Sequence, residues 1–237
     1  MAVAEYSQPL KTGTLIRRYK RFLADIDLGG GETVTAHVPN TGSMLSTRAP
    51  GSRVAISHQP SPKRKLKWTL ELVESHGTWV GVNTSYTNRI AETAISQDQI
   101  PELLGYSQLQ REVKYGSGSR VDLLLSTPEN RCYVEVKNVT YRTGDGALFP
   151  DAVTARGTKH LQELIQMVQN GHRAVMFFLV NRDDCAFMAP ADEIDPVYAN
   201  TLVLAQHQGV ELIAYSVSHS LTGHELHRKM PIQLPAS

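Results

Sequence analysis

Apolar and polar positions along this chain follow one rhythm up to residue 86 and another beyond it. In the first part they alternate or run in short β-rich segments, Leu15 to Leu28, Glu32 to Val38, Arg53 to Ser57, Leu66 to Glu74 and Thr78 to Val82. Period-two segments of this length predict strands. Between them stand Gly29-Gly-Gly31, Pro39-Asn-Thr-Gly42, Pro60-Ser-Pro62 and Ser75-His-Gly77, whose residue types favour turns. About five short strands closing on themselves fit an oligonucleotide-binding (OB) barrel, and the pattern fits other small barrels equally. No helix-opening GxGxxG or GK[ST] follows Gly29–Gly31, so that run predicts a hairpin turn and not a phosphate cradle.

From residue 87 the period lengthens. Asn88 to Ile95 predicts a helix. Gln110–Tyr115, Ser119–Leu125 and Cys132–Asn138 predict strands, with Gly116-Ser-Gly-Ser119 joining the first two and Ser126-Thr-Pro-Glu-Asn130 turning between the second and third. Leu161, Leu164, Ile165 and Val168 share one face of a helix over Thr158 to Asn170, with Gly171 placed to cap it. Ala174 to Val180 is a continuous apolar run of buried-strand length. A helix from Asp195 to His207, with Pro196 in its first turn, then precedes a strand from Val210 to Ser216, an α/β crossover. The expected fold is α/β with an N-terminal all-β domain: an OB-like barrel over residues 1–86, then a mixed sheet flanked by helices over residues 87–237.

Three charged residues interrupt the apolar strands of the second domain. Side chains alternate faces along a strand, so Glu135 and Lys137 point the same way and Val134 and Val136 the other. Antiparallel pairing across the turn brings Asp122 alongside Glu135. Two carboxylates repel unless a cation completes them. Mg²⁺, or Mn²⁺ in its place, prefers carboxylate oxygen, water and phosphate, and a neighbouring lysine can orient the attacking water, which is the chemistry of phosphodiester cleavage. A surface hairpin with solvated Glu135 and Lys137 and a turn-capping Asp122 accounts for the same residues taken alone.

In order and spacing, the segment from Thr87 to Val180 resembles the core of the PD-(D/E)xK nuclease superfamily. The resemblance implies that Asp122 and Glu135 hold metal, that Lys137 is the catalytic lysine, and, on a weaker match, that Glu92 is a further acidic ligand on the first helix. Val121 stands where the motif's proline would be. Nearly the whole chain also resembles the sugar fermentation stimulation protein A family, through Asn83-Thr84, Ser119-Arg-Val-Asp122, Tyr133-Val-Glu-Val-Lys-Asn138, Phe149-Pro-Asp-Ala-Val-Thr154 and Arg156-Gly-Thr-Lys-His-Leu161. That resemblance implies an OB-type barrel, DNA binding and a role in regulating maltose utilisation.

The net charge of +1 conceals an asymmetry. Residues 1–86 carry eleven Lys or Arg against six Asp or Glu, an excess of five cations, and the remainder carries thirteen against seventeen. The basic excess concentrates in Arg17-Arg18-Tyr19-Lys20-Arg21 and in Lys63-Arg64-Lys65-Leu66-Lys67-Trp68. Cations attract backbone phosphates and rings such as Tyr19 and Trp68 can stack on unpaired bases; solvated strand faces explain either cluster alone. Arg156 and Lys159 open the second helix, where an N-terminus favours phosphate, and His160 fits either a polar contact or proton carrier, or a histidine that holds the loop. Asp151 is placed to cap or brace that loop. His207, His219, His224 and His227 lack ligand spacing and read as surface residues.

Cys132 and Cys185 fit neither a disulfide framework nor a metal motif and suit a reducing cytoplasm. No apolar segment follows Met1-Ala-Val-Ala-Glu5, and no run is long enough to span a bilayer, so a soluble, unexported cytoplasmic protein is expected, without membrane or small-molecule cofactor. Monomer and homo-oligomer are both open. Two functions fit: a Mg²⁺-dependent nuclease that binds DNA without strong sequence preference, and a non-catalytic DNA-binding regulator that keeps a nuclease-like fold.

Overall fold

The computed structural model describes residues 2–116 and 118–235. Ser117, inside the expected Gly116–Ser119 connection, lies outside the described residues, as do Met1 and residues 236–237. The first part contains β2 (Lys11–Tyr19), β3 (Leu23–Asp27), β4 (Thr33–His37), β5 (Arg53–His58), β6 (Trp68–Ser75) and β7 (Thr78–Gly81), preceded by β1 (Ala2–Glu5). The expected strand Leu15 to Leu28 is therefore two strands. Lys20 and Arg21, with φ of 49° and 66°, turn the chain back between them.

Strands β4-β3-β2-β5-β6-β7 are hydrogen-bonded in that order, and a parallel pairing of β4 with β6 (Ala36 to Trp68, His37 to Thr69) closes the first five into a barrel. This is the OB-type arrangement. Its core is Leu15, Ala24, Ile26, Ala36, Val38, Val54, Ile56, Leu70 and Val73. Gly29, Gly30 and Gly31, all at positive φ, form the β3–β4 turn as expected.

The second part is built on α1 (Thr87–Ser96), α2 (Ala155–Gln169) and α3 (Pro196–His207), with strands β8 (Gln108–Tyr115), β9 (Ser119–Ser126), β10 (Arg131–Val139), β11 (Tyr141–Thr143), β12 (Gly146–Phe149), β13 (Arg173–Val180), β14 (Phe187–Pro190), β15 (Glu211–His219) and β16 (Gly223–Lys229). Seven strands form a mixed sheet in the order β1-β16-β15-β13-β10-β9-β8; β11-β12-β14 form a small second sheet. The pairs β10–β13 and β13–β15 are parallel, and β9–β10 is antiparallel.

Parallel central strands need cover on both faces, which explains the unbroken apolar sequence of β13, buried from Ala174 to Val180. One face packs Ile90, Ala91, Ala94 and Ile95 of α1 onto Val134, Val136, Val175 and Phe177. On the other, Leu161, Leu164 and Met167 of α2 and Tyr198 and Leu202 of α3 cover Tyr133, Met176 and Phe178. The expected face of α2 is rotated slightly: Met167 is buried, whereas Ile165 and Val168 are half-buried at its margin. Gly171 follows α2 at φ 82°, as its cap.

One boundary differs from expectation. β1 pairs antiparallel with β16, so the first residues belong to the large sheet and not to the barrel. Val3 and Ala4 are buried there among Ile213, Tyr215 and Val217. A four-residue strand carries no signal of which sheet edge it will cover; burying two apolar side chains at the open edge decides it.

Candidate metal and nucleic-acid site

β10 presents its side chains as alternation requires. Glu135 and Lys137 lie on the face that α2 covers, Val134 and Val136 on the α1 face. Lys137 Nζ donates to Glu135 Oε1 at 2.8 Å, with side-chain exposures of 13% and 3%, so this is a nearly desolvated pair and not a solvated strand face. Asp122 sits on the neighbouring strand. Its Oδ2 accepts from the Val136 amide at 2.8 Å and its Oδ1 accepts from Asn88 Nδ2 of α1 at 2.8 Å.

His160, in the first turns of α2, completes the cluster. Its Nδ1 is hydrogen-bonded to Glu135 Oε1. Arg156 Nε donates to His160 Nε2 at 3.3 Å, so Nε2 accepts and Nδ1 carries the ring proton toward Glu135. Burial pushes the Glu135 carboxyl up, but the His160 hydrogen bond and the Lys137 charge outweigh it and hold it below the usual range. Asp122 moves the other way: burial, then the Glu135 charge, raise it above the ordinary carboxylate value. Two carboxyls in one site are thus driven apart, the pattern of groups sharing a charged task.

The donor set suits a hard divalent cation. Glu135 Oε2 is buried and accepts no hydrogen bond, Asp122 is repelled by Glu135, and carboxylate oxygen is the preferred ligand of Mg²⁺ and Mn²⁺. Glu92, expected as a further ligand, is directed elsewhere: it pairs with Arg111 of β8 at 3.4 Å. Asn88, one turn earlier on the same helix, reaches Asp122 instead. Among the described residues no three His, Cys, Asp or Glu side chains are grouped to hold a metal, so water and a bound phosphate would supply the remaining ligands.

The other expected contacts divide into free and committed groups. Arg156 and Lys159 are exposed at the start of α2, Lys159 lying 3.7 Å from Glu163. In the barrel, Lys20 and Arg21 are exposed at the β2–β3 tip beside Phe22. Arg17 pairs with Asp25 at 2.8 Å and covers the Tyr19 ring at 4.7 Å, so one face of that ring is already occupied. Arg18, half-buried, is committed within the protein: its guanidinium donates to the carbonyls of Asn40 and Gly42 at 2.9 Å and of Ser43 at 3.3 Å. Three acceptors in the 40–43 loop outbid solvent for it.

In the loop before β6, Lys63 and Lys65 are exposed, Arg64 donates to Thr69 Oγ1 at 2.9 Å, and Lys67 donates to the Ser61 carbonyl at 2.8 Å. Trp68 meets His58 edge-on, with Lys11 Nζ 5.8 Å from its ring centre. Register gathers the two basic clusters. Leu23 pairs with His37 and His37 with Thr69, so the hairpin tip and the 63–68 segment share one end of the barrel.

Several structural contacts carry no sequence signal. Asp151, expected to cap or brace its own loop, reaches across the molecule to the 40–44 loop: its Oδ2 accepts from the Met44 amide at 2.7 Å, and its carbonyl accepts from Ser43 Oγ. Asp195 caps α3 through the Tyr198 amide and also accepts from the Thr154 amide at 2.8 Å, fixing the entrance to α2. Arg182, fully buried, forms a fork with Asp184 at 2.6 and 2.7 Å and donates to the Thr140 carbonyl. His207 and His227 are exposed as expected, but His224 is buried and His219 half-buried. They meet at 2.7 Å through Nδ1, and burial lowers their pKa values to about 3 and about 4.

Cys132 and Cys185 are free and buried, and burial pushes both thiols up to about 11, which makes them poor nucleophiles. No helix among the described residues is long and apolar enough to cross a membrane.

Comparison with known proteins adds to this geometry. A family model described as "Sugar fermentation stimulation protein RE domain" matches residues 85–223, and one described as "SfsA N-terminal OB domain" matches residues 16–82. The chain is 55% identical over 227 residues to a sugar fermentation stimulation protein homolog of Citrifermentans bemidjiense, covering 96% of this chain and 98% of that protein. It is 51% identical over 230 residues to the homolog of Paramagnetospirillum magneticum, covering 97% and 98%. The solved structure of Pyrococcus furiosus SfsA in complex with Ca²⁺ matches with a TM-score of 0.89 at 27% identity, covering 99% of this chain and all of that one.

Proposed function

This chain belongs to the sugar fermentation stimulation protein family, and from that premise together with the carboxylate site we propose that it is a DNA-binding protein with a Mg²⁺-dependent phosphodiesterase centre. The observation that carries the proposal is the Asp122–Glu135–Lys137 cluster: two buried carboxyls held at different protonation tendencies, one with an unused oxygen, beside an amine. A relative of this fold with Ca²⁺ bound supports a hard divalent cation.

Asp122 and Glu135 would hold the ion, Mg²⁺ or Mn²⁺, which when bound neutralises developing charge on a phosphoryl oxygen and acidifies water. The chain supplies the rest. Lys137 donates to Glu135 Oε1, lies 3.2 Å from His160 Nδ1, and has a donor left to orient a water toward phosphorus. His160 fixes the Glu135 carboxylate in place and has no free nitrogen for proton transfer, since Arg156 occupies the other. Arg156, exposed beside this pair, is positioned for a flanking phosphate, and Lys159 lies on the next turn. The basic end of the barrel holds DNA through its backbone, without base readout.

A non-catalytic DNA-binding regulator is favoured by one observation: Glu135 Oε1 already serves both Lys137 and His160, so protein groups compensate its charge. The family's name ties either function to sugar metabolism. Incubation of labelled single-stranded, double-stranded and branched DNA with Mg²⁺ or Mn²⁺ separates the two. Metal-dependent cutting establishes the phosphodiesterase, and binding without cutting of any form establishes the regulator.

A further inference from the structure

A cleft of about 640 Å³ opens between the barrel and α1, and its lining includes none of Asp122, Glu135 and Lys137. That is within the range of small-ligand sites, roughly 300–1,000 Å³. Three cations reach it from two domains: Arg64 and Lys65 from the barrel, Arg89 from α1. One carboxylate opposes them. Glu71, only 2% exposed, accepts from Ser57 Oγ at 2.5 Å and from Asn83 Nδ2 at 2.7 Å, and burial raises its pKa despite those bonds. The cleft therefore carries a surplus of positive charge at neutral pH.

An aromatic platform stands beside the cations. Tyr86 is half-buried in the cleft wall and braced from behind by Tyr6 and His224, with ring centres at 5.5 and 4.9 Å. A smaller groove of about 170 Å³ shares Tyr86 and Gln59 with the cleft and continues to Trp68 and Lys11. Ring and cation thus alternate along one path, Trp68 with Lys11, then Tyr86 with Arg89. Such a path suits bases stacked on rings with phosphates on the cations between them. Arg89 also follows Asn88, the residue that holds Asp122, so α1 carries both the cleft and the carboxylate site.

We infer that this cleft seats one nucleoside phosphate, its phosphate on Arg64, Lys65 and Arg89 and its base against Tyr86. The nucleotide is a unit of a single strand or a free mononucleotide; the strand as source rests on the DNA-binding proposal, and the cleft itself does not.

Calorimetric titration of the full chain with a deoxynucleoside monophosphate and with a hexose phosphate, beside anisotropy of a labelled single-stranded oligonucleotide, tests this. Arg89→Ala and Lys65→Ala change exposed side chains, and Tyr86→Leu removes the ring, with thermal unfolding as the folding control. Arg89→Ala should weaken binding about tenfold, and Tyr86→Leu about fivefold or more for the nucleotide and the strand. Mononucleotide binding that responds to these variants identifies a free nucleotide; a response by the oligonucleotide alone identifies the strand. If neither mononucleotide binding nor DNA binding responds to any cleft variant, the inference is overturned, and DNA that is still bound leaves the DNA-binding proposal standing. Nucleotide binding that responds to them, with no DNA bound, does the reverse. Binding of hexose phosphate as tight as that of the mononucleotide, or no binding of any of the three, also overturns it.

Discussion

His160 and Glu135, twenty-five positions apart, are joined by a hydrogen bond from a ring nitrogen on α2 to a carboxylate on β10, and neither is more than 5% exposed at its side chain. This bond ties the helix entrance to the strand that carries Lys137. It also sets the acid response of the site.

Glu135 has a folded-state pKa below its ordinary value of 4.5. A depressed carboxylate contributes stability above its unfolded pKa and loses it as pH falls through the folded one. His160→Ala removes the largest stabilising contact to the charge, so the acid unfolding transition should move to higher pH and stability at neutral pH should fall by about 2 kcal/mol. His160→Asn, which can place an amide N–H where Nδ1–H stands, should recover much of the loss. Urea midpoints measured across the acid range check both.

Asp122 has the opposite sign. Its folded pKa is raised, so without metal the protein should lose stability as pH rises from the ordinary aspartate value through the raised one. Asp122→Asn should abolish that loss and raise Tm by a few degrees in chelator, on the order of 1 kcal/mol. Asn88 can rotate its amide to match the new side chain. The wild type, by contrast, should gain about 2.7 kcal/mol from Mg²⁺ at a hundredfold excess over Kd, and the variant none.

Much of this site is legible in the sequence because it rests on local periods. Alternation along Cys132–Asn138 puts Glu135 and Lys137 together, and the spacing in α2 puts His160 near the sheet. What is hidden depends on long-range packing. Nothing near Asn88 marks it as the partner of Asp122, thirty-four positions away. Nothing marks Arg18, inside a run of cations, as a clamp on backbone carbonyls, because the acceptors lie beyond residue 39. Alternation also hides β1, whose four residues take their place only once β16 offers an edge.

Arg18 and its neighbours should therefore separate in their effects. Arg18→Ala strands three carbonyls of the loop that Asp151 braces and should cost about 2 kcal/mol of stability. Lys20→Ala and Arg21→Ala should leave Tm within a degree or so of wild type. If the hairpin tip holds DNA, they should also weaken binding and reduce its salt slope by about one each. Thermal unfolding beside anisotropy titrations at several salt concentrations distinguishes these outcomes.

Glu92 should prove dispensable to cleavage. Its partial exposure and its Arg111 partner make it a surface ion pair, worth about 0–1 kcal/mol. Glu92→Ala should keep the metal requirement and the cleavage rate, whereas Asn88→Ala, which frees Asp122 to move, should lower the rate about tenfold or more. Initial rates as a function of Mg²⁺ concentration report both.

The most direct measurement is cleavage of labelled DNA in Mg²⁺ or Mn²⁺ by the wild type, Asp122→Ala and Glu135→Ala, with DNA affinity measured on the same preparations. A metal-dependent phosphodiesterase cuts only with the metal, loses cutting in both variants and keeps its DNA affinity largely intact. DNA that is bound equally by all three proteins and cut by none would contradict the phosphodiesterase proposal.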